Sequence, residues 1–79
     1  MFKVDFYDAF DGWIAKDIST PEREFASKEQ AIKLCKKLQE ENPPNSMGEH
    51  YGVIDLTMDR EIFCGRRWWN SVHSQAVSA

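Results

Sequence analysis

One amphipathic helix dictates most of what this chain can become. Ser27-Lys28-Glu29-Gln30 has the spacing of a helix start. In that arrangement the Ser27 hydroxyl accepts from the Gln30 amide while the Gln30 side chain reaches back. Ala31, Leu34, Cys35 and Leu38 then recur at helical spacing, with Lys33, Lys36, Lys37 and Glu40 opposite. Asn42-Pro43-Pro44 ends the run, because the residue before a proline is pushed out of the α region. The pattern predicts a helix over Lys28–Glu41. A chain of 79 residues has room for one hydrophobic core. A single helix cannot close that core alone, so strands must supply the other layer.

Strand signals flank the helix on both sides. Phe2, Val4 and Phe6 alternate with Lys3, Asp5 and Tyr7, the period of a half-buried strand. Asp11-Gly12 marks a hairpin. A two-residue turn there sets Phe6 against Asp17, which places a carboxylate beside the core. A loop from Asp8 to Gly12 instead sets Phe6 against Ile14, Phe2 against Ile18 and Lys3 against Asp17, satisfying burial and charge together. Ser19-Thr20-Pro21 closes that hairpin, since proline cannot donate to a ladder. After the helix, Tyr51 to Met58 is rich in strand formers, and Asp59-Arg60 separates it from Glu61-Ile62-Phe63-Cys64. The expected fold is α+β, with ββαββ order: a four-stranded antiparallel sheet with one amphipathic helix packed on one face. The compact domain is expected to span residues 1–70. Residues 71–79 show no clear period and read as a mobile C-terminal tail.

Such a sheet leaves one face without a helix. The first hairpin should place Lys3, Asp5, Tyr7, Trp13, Ala15 and Asp17 there, and Tyr51 and Val53 join them if the second hairpin's register turns them outward. Three readings of this face stand open. Arg66–Asn70 folds back so that Trp68 or Trp69 caps it; a homodimer buries it; or another macromolecule binds it. Tyr, Trp and Arg dominate binding hot spots because they bury much area and keep a polar handle. The candidate partner-binding residues are therefore Tyr7, Trp13, Tyr51, Arg66, Arg67, Trp68 and Trp69.

Signals for chemistry are sparse. His50, His73, Cys35 and Cys64 could ligate a metal, but they are scattered and lack the paired spacing of structural zinc sites. Asp8 and Asp11 share a loop, without the rest of a calcium-binding pattern. There is no nucleophile elbow, Gly-rich phosphate loop or zinc-protease motif. No catalytic residue, metal ligand or cofactor is therefore assigned. Two cysteines do not make a disulfide framework. No apolar run approaches the ~20 residues of a membrane span, and the N-terminus lacks the pattern of a secretory leader. The expected location is the cytoplasm.

The formal charge of −3 works against a general nucleic-acid binder. The leading expectation is a small acidic, non-enzymatic module that binds another protein. Its size suits an adaptor, or an inhibitor of a larger nucleic-acid-handling complex of the kind phages and mobile elements carry. One alternative is a nucleic-acid-binding regulator using Arg66, Arg67, Trp68 and Trp69. Another is a metal-binding protein or small enzyme.

Overall fold

The computed structural model describes residues 1–14 and 24–74. Its elements are β1 (Phe2–Asp8), β2 (Gly12–Ile14), β3 (Glu24–Phe25), α1 (Lys28–Glu41), β4 (His50–Asp55), β5 (Arg60–Cys64) and α2 (Gly65–Ser74). The sheet is antiparallel and runs β2-β1-β4-β5, with the short β3 also paired to β1. The α+β class is as expected, but among the described residues the sheet has five strands and a second helix follows it.

The first turn follows the expected register, with Phe6 opposite Ile14. Gly12 takes the left-handed conformation (φ 78°) that a glycine adopts without strain. Asp8 stabilises the turn by accepting from the amides of Phe10 (2.8 Å) and Asp11 (3.0 Å). The expected partners Ile18 and Asp17 lie outside the described residues. Within the described chain, Phe2 and Lys3 instead face Phe25 and Glu24 of β3. The helix does not start until Lys28, which leaves Glu24 and Phe25 free to extend the edge of β1.

Helix α1 has the expected bounds. Ser27 caps it, its hydroxyl accepting from the Gln30 amide at 3.4 Å. The reciprocal contact differs from expectation, because the Ser27 hydroxyl donates to the Glu29 carboxylate at 3.2 Å. At the other end Asn42 closes the helix, donating from both its backbone amide and its side chain to the Leu38 carbonyl.

The core lies between α1 and one sheet face: Ala31, Cys35 and Leu38 meet Val4, Phe6, Tyr51 and Val53. Phe6 and Tyr51 sit opposite each other on β1 and β4, their rings edge to face at 5.0 Å. This register decides the open placement of Tyr51 and Val53: both turn inward. Each pairs with an inward residue of β1 (Phe6, Val4), so neither side chain has any exposure. Tyr51 is accordingly withdrawn from the partner-binding set. On β5 a bulge opposite Val53 and Ile54 inserts Ile62, so that Ile62 and Phe63 both pack against the core. The β4–β5 turn is longer than expected and covers Leu56 to Asp59. Asp55 organises it by accepting from the amides of Thr57 and Met58.

Helix α2 is the largest departure from the sequence reading. It begins at Gly65 and runs to Ser74, four residues past the expected domain end at residue 70. Gly65 is buried where a Cβ would lie 2.5 Å from the Tyr51 carbonyl oxygen and 2.7 Å from Gln39 Oε1. Gln39 itself is buried within α1. Its Oε1 accepts from the Tyr51 amide at 2.9 Å, and its Nε2 donates to the Asn42 carbonyl at 2.7 Å. One side chain thus ties the end of α1, strand β4 and the start of α2 together. No helix among the described residues is long and apolar enough to cross a membrane.

Candidate functional site

Strand pairing sets out the face opposite the helices as three cross-strand rows. The first is Trp13, Tyr7 and His50; the second is Asp5, Gly52 and Cys64; the third is Glu24, Lys3, Ile54 and Glu61. In the first row Tyr7 packs edge-on against Trp13 with centroids 5.3 Å apart, and both rings reach His50 at 5.7 and 5.6 Å. Tyr7 and Trp13 each remain 37% exposed. Phe10, at the tip of the β1–β2 turn, is 84% exposed. Acidic groups rim this patch. Asp8 and Asp11 belong to the turn, and Glu49 accepts from the Ala9 amide at 3.1 Å, joining the loop before β4 to the same end.

The second row is built around a missing side chain. A Cβ on Gly52 would run into the Glu61 carboxylate and lie 2.8 Å from the Trp13 ring. The hollow above Gly52 is filled from two sides, by an indole and by a carboxylate. Glu61, one row away, bends back over it to meet His50 Nε2 at 2.9 Å. His50 Nδ1 faces the Gly48 carbonyl at 2.7 Å. Both ring nitrogens therefore face acceptors, the arrangement of an imidazolium. Burial works to lower the His50 pKa. The hydrogen bonds to Glu61 and Gly48 and the Glu61 charge outweigh burial and the opposing charge of Arg66, leaving it raised. Cys64 stands opposite Gly52, and the ligating atoms of His50, Glu61 and Cys64 all lie within 4.8 Å of one another. At the inner end of the row, Asp5 is buried and paired with Lys3 Nζ at 3.2 Å.

The cluster expected at Arg66–Trp69 is divided by its helix. Arg66 and Arg67 are exposed, while Trp68 and Trp69 are half-buried. Lys36 of α1 lies over the Trp68 ring at 5.7 Å. Trp69 stacks on His73 at 4.0 Å, and His73 meets Glu40 of α1 at 3.3 Å. The indoles therefore face α1, not the open face, and the reading in which they cap that face is corrected: α2 packs beside α1 and leaves Tyr7 and Trp13 uncovered by it. Of the residues nominated from sequence, Tyr7 and Trp13 come together; Arg66, Arg67, Trp68 and Trp69 lie on α2.

The four residues weighed and set aside as metal ligands divide too. Cys35 is in the core, its thiol pushed up to about 12 by burial, then by Cys64 and Glu61. His73 sits between the helices. His50 and Cys64 converge, and the partner that joins them, Glu61, escaped the sequence reading together with Gly52 and Phe10. The available signal was His50-x-Gly52 facing Glu61-x-x-Cys64, legible only once the strand register is known. Comparison with protein-family models, curated proteins and solved structures finds no match.

Proposed function

We propose that this chain is a small, non-enzymatic protein-interaction module that docks another protein on the sheet face opposite the helices, centred on Tyr7 and Trp13 with Phe10 at its edge. The observation that carries this reading is the pair of large aromatics held edge-on against each other and both packed against the His50 ring, yet still exposed. Rings already fixed by neighbours lose little freedom on binding, so more of their buried area appears as affinity. The rim of Asp8, Asp11 and Glu49 favours a partner with basic groups around an apolar centre and disfavours a phosphate backbone. An adaptor, or an inhibitor that occupies a larger protein's working surface, fits this chemistry.

The test is capture from native-cell extract on immobilised wild-type chain, Trp13→Ala and Arg67→Ala. The reading expects a protein retained by wild type and Arg67→Ala and lost by Trp13→Ala. Removing a central aromatic costs about 2 kcal/mol, or roughly thirtyfold in affinity. Retention should persist in moderate salt. Nuclease-sensitive capture that collapses with salt, or capture unaffected by Trp13→Ala, would sink it. A solution mass near twice 9.2 kDa that falls in Trp13→Ala would instead seat a second copy on this face.

A further inference from the structure

Beside the aromatic pair, the same face carries an arrangement of which the interaction reading uses only the His50 ring. From its geometry we infer that His50, Glu61 and Cys64 form a binding site for a thiophilic divalent ion of the zinc class. The donor set is imidazole nitrogen, carboxylate oxygen and thiol sulfur, the combination such ions take. The donor atoms all lie within 4.8 Å of one another. Bonds of about 2.0–2.3 Å in tetrahedral geometry hold donors about 3.3–3.7 Å apart. The His50 Nε2 to Glu61 Oε2 separation of 2.9 Å therefore has to widen by about 0.5 Å to admit the ion between them. Cys64 supplies the third donor, its sulfur within 4.8 Å of the other two.

Two further observations favour a ligand site over a chance cluster. A metal-binding histidine usually donates its other ring N–H to a carbonyl or carboxylate, which fixes the tautomer and aims the free nitrogen. His50 has the carbonyl contact, with Nδ1 on the Gly48 carbonyl at 2.7 Å, and its Nε2, which faces the Glu61 carboxylate, gives up its proton to solvent as the ion takes that place. The second observation is the hollow at Gly52. Any side chain there would displace the Glu61 carboxylate that now lies between the His50 and Cys64 rows. Three protein donors leave a fourth position for water or an incoming donor, as in zinc sites that stay open.

The experiment uses the full chain, stripped of metal and kept reduced. Zn2+ is titrated against a chromophoric chelator, and Co2+ serves as a spectroscopic probe of thiolate ligation. One ion per chain is expected, with a thiolate-to-cobalt charge-transfer band. Loss of an outer-shell partner alone costs about 10–100-fold, so His50→Gln, Glu61→Gln and Cys64→Ser should each weaken binding at least about 100-fold. Cys64→Ser should also abolish the band. Gly52→Ala keeps every donor but crowds the carboxylate, and should weaken binding less. Cys35→Ser and His73→Gln should leave binding unchanged. Far-UV dichroism confirms that each variant is folded. Absence of saturable binding in the folded wild type, or binding and a charge-transfer band that survive Cys64→Ser, overturns the assignment.

Discussion

Replacing Gln39 by leucine tests the account of how this fold is held together. The two side chains are similar in volume, so the change removes hydrogen bonds and leaves no large cavity. Tyr51 is fully buried, and its amide donates to Gln39 Oε1 at 2.9 Å. Leaving a buried N–H unpaired costs about 1–3 kcal/mol. Asn42 is exposed, so its carbonyl can turn to water at a cost of about 0.5 kcal/mol or less. The extra apolar area of leucine offsets part of this. The net expectation is a destabilisation of about 2 kcal/mol, or roughly thirtyfold in the folding equilibrium. With a urea dependence near 1 kcal/mol/M for a domain this small, the midpoint should fall by about 2 M, followed by tryptophan emission. Hydrogen exchange at the Tyr51 amide should accelerate beyond the global change. A variant as stable as wild type, with the Tyr51 amide still protected, would refute the idea that Gln39 ties α1 to β4.

Gly65→Ala should also destabilise, by about 1–3 kcal/mol, although alanine favours helices; its methyl would meet the Tyr51 carbonyl and Gln39. Thermal melting measures it, and a raised midpoint would contradict the packing. In native protein, alkylation followed by mass spectrometry should modify half-buried Cys64 while buried Cys35 reacts only after unfolding. The raised Cys35 thiol also has a pH signature. Folding holds its proton, so the stability it contributes is complete below the ordinary value of 9.0 and is lost as pH rises toward about 12. Urea midpoints of wild type should therefore fall more steeply above pH 9 than those of Cys35→Ala, and parallel slopes would contradict this.

Much of the framework was legible in the sequence because local chemistry decided it. Ser27 and Asn42 sit at the ends of α1, and Asp8 through Gly12 sets the register that puts Phe6 opposite Ile14. Helix α2 escaped because Gly65 at its start reads as a break, although the arginines that follow favour a helix. Its order comes from tertiary contacts, with Gly65 against Gln39 and His73 against Glu40. Tyr51 was misplaced because a continuous apolar strand gives no sign of which face is inward until its partner is known. The His50–Glu61–Cys64 cluster was hidden for a related reason. Its members are distant along the chain, and only the β4–β5 register over Gly52 brings them together. Tyr7 and Trp13 were legible because a single hairpin register placed both.

The most direct test of the docking face is site-specific photo-crosslinking in the native cell. A photoreactive phenylalanine analogue replaces Phe10 at the exposed rim of the face, and in a second chain replaces Lys37 on the exposed side of α1. The account predicts a discrete protein adduct from position 10, lost when Trp13→Ala is added, and none from position 37. Adducts from position 37 alone, or adducts from position 10 indifferent to Trp13, would contradict it.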